Sequence, residues 1–221
     1  MTQNDIRKIA FVCVAFGDKY IEQQVRLKES ILNIYPNADL FFWTGGDLPI
    51  GSQTFYASLY GFKPHGVTAA YNAGFTKIVF FDPAVILLDK LDYYDDLLKE
   101  YGVLAVQDDT KLKTVISKDC INYFGIDDDW LDGKNLVGGS FYYFDFEVES
   151  CKKIFSEWKL AEEKGVFGSQ EQQAQGLIGA HRSDETVMAI CLYRNGSKPL
   201  PYSGSRYNWD ANPIMDKKHF K

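Results

Sequence analysis

The sequence lacks any apolar run close to the roughly 20 residues that a membrane-spanning helix needs. Residues Met1 to Phe16 begin polar and contain only a short apolar stretch, typical of a first strand rather than a secretory signal. The four cysteines form no C-x-x-C pair, and each has apolar neighbours, as expected of buried thiols in a reducing compartment. We therefore predict a cytoplasmic protein without a membrane span.

An excess of basic residues is also missing. The chain has 24 Lys and Arg against 30 Asp and Glu, which gives a formal net charge of −6. Proteins that bind nucleic acid through its phosphates are usually basic, so this balance argues against general nucleic-acid binding. Aromatic residues, at 15%, are abundant, and aromatic rings stack on sugars and bases.

Several common catalytic motifs are absent. The sequence has no G-x-G-x-x-G, no G-x-x-x-x-G-K-[ST] and no G-x-S-x-G, which removes support for dinucleotide, P-loop and serine-hydrolase sites. None of the three histidines belongs to a signature that ties it to a cysteine. The remaining evidence for function lies in the order of the predicted strands and helices.

Strand and helix patterns alternate along the first half of the chain. A continuous apolar run, Lys8 to Phe16, indicates a strand covered on both faces. The patterns that follow predict a helix over 20–35, a strand in 38–46, a short helix that begins near Pro64, and a strand over 77–81. This β-α-β spacing is typical of a parallel sheet with crossover helices.

The second half continues the α/β pattern without a linker that would divide the chain. It predicts a helix ended by Gly102, strands near 102–109 and 134–146, a helix over 147–164, a loop over 165–180, and a last helix near 183–196. We expect one α/β domain over residues 1–221, in which residues 197–221 form a tail that closes over the site.

An acid follows the most apolar of these strands. Ile78 to Phe81 are all apolar, and Asp82 comes next. A carboxylate at that position is costly unless it has a partner or a function, and ligands bind at the carboxyl ends of strands in open α/β sheets. Two positions on, where a second acid would complete a divalent-metal site, the sequence has Ala84.

The order of these segments resembles the small GT-A glycosyltransferases of the glycogenin and bacterial lipopolysaccharide galactosyltransferase type. The resemblance covers about Lys8 to Tyr193 and rests on FVCVAFGDKY, KPHGVTAAYNAGFTKIVFFDPAVILLDKLD, VGGSFYYFDF and HRSDETVMAIC. It implies a single GT-A, Rossmann-like domain with a mostly parallel central sheet flanked by helices. It also implies transfer of a hexose or related sugar from a nucleotide diphosphate-sugar, such as a UDP-sugar, to an acceptor hydroxyl.

The resemblance also implies roles for particular residues. The predicted catalytic residues are Asp82, Asp184 and His181. The predicted donor-binding residues are Asp18, Tyr20, Lys63, Gly138 and Gly139. Asp18 would contact the ribose, Tyr20 the base and Lys63 a phosphate, and the two glycines would let the backbone approach the ligand closely.

Each of these residues also has a structural interpretation. Asp82 can cap the turn at Pro83, and Asp184 suits the positive end of a helix. Asp18 can simply start a helix, Lys63 can be a solvated lysine before a proline, and His181 can be a capping or surface residue.

The predicted cofactor is Mn²⁺ or Mg²⁺, which in such enzymes neutralises the departing diphosphate through an Asp-x-Asp motif. Because Ala84 replaces the second acid, three alternatives remain open. Asp82 can hold the metal with His219, or cations such as Lys63, Arg182 and the tail lysines can replace it. In the third alternative, the domain binds a nucleotide-sugar without turnover.

A nucleotidyltransferase is a less favoured alternative, because VAFGDKY supplies one glycine where such enzymes have a glycine-rich loop. The resemblance implies an acceptor hydroxyl, which a glycan, a lipid, a protein or a modified nucleic-acid base can supply. The net charge of −6 argues weakly against a nucleic-acid base as the acceptor.

Overall fold

A computed structural model describes residues 9–201 and 215–217 of the chain. Its centre is a five-stranded sheet in the order β2-β1-β3-β6-β5, formed by β1 (Ile9–Ala15), β2 (Asp39–Thr44), β3 (Lys77–Phe81), β5 (Val103–Lys111) and β6 (Asn135–Asp145). A separate pair of short strands, β4 (Val85–Leu87) and β7 (Met215–Lys217), is antiparallel.

Four of the five central strands run in the same direction. β1 is parallel to both β2 and β3, whereas β6 is antiparallel to β3 and to β5. The prediction of a mostly parallel α/β sheet is therefore confirmed, and β6 is the reversed strand. β3 is buried along its whole length and β1 nearly so, which explains their continuous apolar runs.

Helices cover both faces of the sheet. The α-helices of the described residues are α1 (Asp18–Ile34), α2 (Phe62–Asn72), α3 (Asp95–Tyr101), α4 (Lys118–Phe124), α5 (Asp128–Leu131), α6 (Glu149–Glu163), α7 (Gln170–Ala174) and α8 (Ser183–Arg194). Apolar side chains of α2, α6 and α8 form the core on one face, and those of α1 and α3 form the core on the other. Within the described ranges, no helix has both the length and the apolarity to cross a bilayer.

The local predictions hold with two refinements. The predicted loop over 165–180 contains α7, whose first turn is fixed by Ser169 and Gln172, each of which accepts a hydrogen bond from the other's backbone N–H. The predicted helix before Gly102 begins as a 3₁₀ turn over Leu91–Tyr94 and continues as α3. All four cysteines are buried free thiols, as predicted.

Candidate functional site

A cavity of about 560 Å³ opens at the carboxyl ends of β1 and β3. These strands are parallel neighbours, so the chain leaves both of them at the same edge of the sheet. One part of its wall is apolar and includes Val14, Phe16, Phe55, Leu59 and Phe62. The other part is charged and consists of Lys63, Asp82, Arg182, Asp184 and Glu185. An apolar surface with a few convergent polar groups is the usual form of a small-molecule site.

Lys63 lies at the centre of the charged wall and is buried. Its ammonium donates hydrogen bonds to the Gly139 carbonyl and to Asp184 Oδ2, each at 2.8 Å, and lies 3.4 Å from Asp82 Oδ1. Burial lowers the pKa of Lys63, but the carboxylates of Asp184 and Asp82 outweigh that effect, so its pKa lies above the ordinary value. Lys63 is therefore a fixed positive charge, which excludes the interpretation of a solvated lysine.

Asp184 is the buried partner of this ammonium. Its Oδ2 accepts hydrogen bonds from Lys63 and, at 3.1 Å, from the Tyr142 hydroxyl. Burial raises the pKa of Asp184 above its ordinary value, although the Lys63 ammonium acts in the opposite direction. Asp82, by contrast, keeps 29% of its side chain exposed, so it presents a carboxylate to the cavity.

Gly139 makes this cluster possible because it has no side chain. A Cβ at Gly139 would lie 2.9 Å from atoms of Lys63, Asp184 and Glu185. At Gly138 the nearest atom, the Val106 carbonyl oxygen, would be 3.9 Å away. The close approach that the sequence predicted is therefore made by protein side chains at Gly139, and a donor-binding role of the two glycines stays a prediction.

Arg182 and Glu185 form a second ion pair in the cavity wall. Arg182 donates from Nε to Glu185 Oε2 at 2.9 Å, and a terminal guanidinium nitrogen lies 2.9 Å from the same oxygen. Glu185 Oε1 accepts from the Gly139 N–H at 3.0 Å. Sequence reasoning did not single out Glu185, a first-turn acid of α8, or Tyr142, a buried aromatic residue of β6.

Backbone strain is concentrated at the same cavity. Tyr60 and Ser183 have φ values of 60° and 44°, and they are the two non-glycine residues with positive φ in the described part of the chain. Both line the cavity. Each such conformation costs about 1–3 kcal/mol and persists only where surrounding contacts impose it, which is frequent at functional sites.

The two predicted nucleoside contacts lie in different surroundings. Tyr20 is half-exposed and lines the cavity, so its ring is accessible, and its contact with a base stays a prediction. Asp18 is the first residue of α1 and is exposed. Its contact with a ribose stays a prediction.

His181 lies in the cavity wall but is buried, and its ring is bound by backbone groups. Nδ1 accepts from the Ser117 N–H at 3.3 Å, and Nε2 lies 3.0 Å from the Val166 carbonyl oxygen. A carbonyl can only accept, so these contacts define a neutral ring protonated at Nε2. The catalytic role predicted for His181 receives no support from these contacts and stays a prediction.

Stability should fall in acid because of His181. Burial lowers its pKa below the ordinary value. The stabilisation by the neutral ring is fully present above the unfolded-state pKa, near 6.5, and is lost as pH falls through the lower folded-state pKa. Urea unfolding between pH 7.5 and pH 5 should show a loss of at most about 1.4 kcal/mol per pH unit that His181→Gln removes. Identical pH slopes in both proteins would contradict this assignment.

The described residues do not form a divalent-metal site on their own. Across residues 9–201 and 215–217, no group of three His, Cys, Asp or Glu side chains is arranged to hold a metal ion. Asp82 faces the Lys63 ammonium, and Ala84 is a buried part of the cavity wall. His219 lies outside the described residues, so a cation held by Asp82 and His219 stays a prediction.

Comparison with known proteins gives one kind of match. The chain matches no protein-family model and no curated protein sequence. Among solved structures, it is similar to a glycosyltransferase involved in glycosylation of the major capsid of PBCV-1, with a TM-score of 0.54 and 8% identity over 94% of this chain and 92% of that one. The chain has a glycosyltransferase fold.

A second glycosyltransferase of this fold is the bifunctional WbbM, whose apo structure matches with a TM-score of 0.54 and 13% identity. That match covers 91% of this chain and 40% of WbbM. The fold implied by the sequence resemblance is thus confirmed. Sequence identities of 8% and 13% establish the fold and not the activity.

Proposed function

We propose that the protein is a glycosyltransferase that moves a sugar from a nucleotide diphosphate-sugar to an acceptor hydroxyl. The observation that carries this proposal is the cavity at the carboxyl ends of β1 and β3. It joins an aromatic wall, suited to a base and a sugar ring, to the charged cluster of Lys63, Asp82 and Asp184.

The proposed reaction exchanges one bond at the anomeric carbon for another. The bond between that carbon and the diphosphate oxygen breaks, and its electron pair leaves with the nucleoside diphosphate. The acceptor oxygen bonds to the anomeric carbon, and its proton passes to water. Negative charge grows on the leaving diphosphate, so fixed positive groups at the cavity accelerate the step.

The described side chains suggest a division of roles. Tyr20 offers a half-exposed ring for the base. Asp184, held by Lys63 and Tyr142, is a fixed acceptor for hydroxyl groups of the donor sugar. Asp82 is the exposed carboxylate at the edge where the diphosphate enters. Preorganised groups of this kind need little rearrangement during reaction.

The proposal also covers the nucleotide of the donor, the metal ion and the cellular location. We infer a UDP-sugar donor, a glycan or other hydroxyl acceptor, and a cytoplasmic protein, for which the four buried free thiols are the support. In one version Mn²⁺ or Mg²⁺ is held by Asp82 and His219. Its support is the pairing of Lys217 with Val85, which brings the end of β7 beside the chain that follows Asp82.

A binding module without turnover is the second candidate. Ala84 favours it, because the cavity wall presents a methyl group where the second acid of the metal clamp would be. Such a module would bind nucleotide-sugars without releasing nucleotide.

Release of nucleotide from a panel of nucleotide-sugars, measured with Mn²⁺ and with EDTA, tests the proposal. In the version with a metal ion, Asp82→Asn should lower the rate of release in Mn²⁺ about 100-fold, because it removes the carboxylate that would hold the ion at the diphosphate. Asp96→Asn, which changes a fully exposed aspartate on α3, is the matched control and should keep the wild-type rate.

Two outcomes would contradict parts of this proposal, the first its turnover and the second the role of Asp82. Measurable donor binding with no release under either condition would identify a binding module. An active Asp82→Asn variant would show that Asp82 only completes the turn at Pro83.

A further inference from the structure

The carboxylates of the cavity are largely engaged with cations of the protein. Asp184 binds Lys63, Glu185 binds Arg182, and Asp82 Oδ1 lies 3.4 Å from the Lys63 ammonium. A divalent ion binds through several ionised oxygens. To collect them here, it would have to displace ammonium and guanidinium groups that already neutralise these acids.

Ala84 provides no carboxylate that could complete a two-acid metal site with Asp82. Its side chain is a methyl group in the cavity wall, and its carbonyl oxygen accepts a hydrogen bond from the Arg26 guanidinium at 3.1 Å. The Ala84 carbonyl oxygen is therefore also engaged by a cation of the protein, Arg26. The turn after β3 is built around arginine and lysine rather than around a metal ion.

Arg182 has the features that diphosphate recognition needs. It lines the cavity, and 45% of its side chain is exposed. Two of its nitrogens share a single oxygen of Glu185, which leaves other N–H groups of the guanidinium for further acceptors. A planar guanidinium pairs with phosphate oxygens through two parallel hydrogen bonds.

We propose that Arg182, in place of a divalent metal ion, binds the diphosphate of the donor and stabilises the charge that develops on it. This inference rests on the proposed function and assigns its leaving-group chemistry. The guanidinium exchanges Glu185 Oε2 for phosphate oxygens, and no covalent bond changes in that exchange. Glu185 remains held by the Gly139 N–H.

The charges of the wall predict the effect of Glu185. Two cationic and three acidic side chains line the cavity, so an incoming diphosphate meets an excess of acids. Glu185 both repels the diphosphate and competes for Arg182. In Glu185→Gln the amide oxygen can still accept from Gly139, while the negative charge is gone.

Calorimetric titration of the whole chain with uridine diphosphate and, in parallel, guanosine and adenosine diphosphates tests the inference. In EDTA, the wild-type protein should bind one of them with a Kd within about threefold of that in Mn²⁺. Arg182→Met should raise this Kd roughly 10- to 100-fold, the range expected for a charge-assisted guanidinium pair. Arg194→Met, at the other end of α8, is the matched control and should leave the Kd unchanged.

Glu185→Gln gives a test of opposite sign. It should lower the Kd for the diphosphate in EDTA, because Arg182 is released and repulsion falls. If Glu185 were instead a ligand of a metal ion, the same variant would raise the Kd measured in Mn²⁺.

The outcomes separate this inference from the proposed function. Binding that disappears in EDTA and returns with Mn²⁺, with Arg182→Met equal to wild type, would overturn the role of Arg182 and leave a metal-dependent glycosyltransferase. No binding of any nucleoside diphosphate under either condition would overturn the proposed function itself. Metal-independent binding that Arg182→Met weakens would support both.

Discussion

Lys63→Met is expected to lower the free energy of unfolding by about 3–5 kcal/mol. The substitution removes a buried ammonium and leaves Asp184 without its cationic partner, so this buried carboxyl either stays charged without compensation or takes up a proton. The Gly139 carbonyl also loses its donor. Urea unfolding at neutral pH measures the effect.

Lys152→Met provides the matched control. Lys152 is a half-exposed lysine on α6 whose ion pair with Glu149 lies at the surface. Its removal should change the free energy of unfolding by less than about 1 kcal/mol, as for other surface pairs. Equal changes in the free energy of unfolding for Lys63→Met and Lys152→Met would show that the buried ion pair stabilises the protein no more than a surface pair does.

A double variant makes the test of Lys63 sharper. Lys63→Met with Asp184→Asn removes both charges of the pair, and the asparagine can still accept from Tyr142. The double variant should be less destabilised than the sum of the two single variants, because neither leaves an unpaired charge when both are changed. Simple additivity would mean that the two groups do not interact.

Gly139→Ala should destabilise the protein by about 1–3 kcal/mol, the usual cost of forcing atoms into a packed space. Its Cβ would press on Lys63, Asp184 and Glu185 at the same time. These groups form the charged wall of the cavity, so binding of nucleoside diphosphate should weaken as well. Unfolding in urea and calorimetric titration measure the two effects.

Gly138→Ala is the control for that variant. The adjacent position on β6 has its nearest atom 3.9 Å from an added Cβ, an ordinary contact. Stability should stay within about 1 kcal/mol of wild type, with any gain coming from a stiffer unfolded chain. Equal losses of stability at both glycines would indicate that β6 does not accept alanine at either position, and that contact with the charged wall is not the cause.

The sequence predicted the framework because its signals are local. Continuous apolar runs identified β1 and β3, and the acid at the end of β3 placed Asp82 at a ligand-binding edge. The direction of β6 was not predictable, since strand direction depends on distant pairing rather than on side-chain pattern.

The side-chain pairings inside the site could not be predicted either, because they join residues that are distant in the sequence. Lys63 and Asp184 are 121 positions apart, and nothing near either residue in the sequence identifies its partner. His181 looked like a candidate acid or base, and only the folded chain shows that both ring nitrogens are bound by backbone groups. The strain at Tyr60 and Ser183 likewise has no signature in residue type.

The long span between Lys63 and Asp184 has a consequence for synthesis of the chain. At about 5–20 residues per second, the 121 positions between them separate their emergence by roughly 6 to 24 s. During that interval α2 can begin to pack on β1 and β3, but its lysine has no carboxylate from α8 to accept it. Of the two aspartates that face Lys63 in the folded chain, only Asp82 has been synthesised before α8. The charged wall can therefore be completed only after α8 has been synthesised.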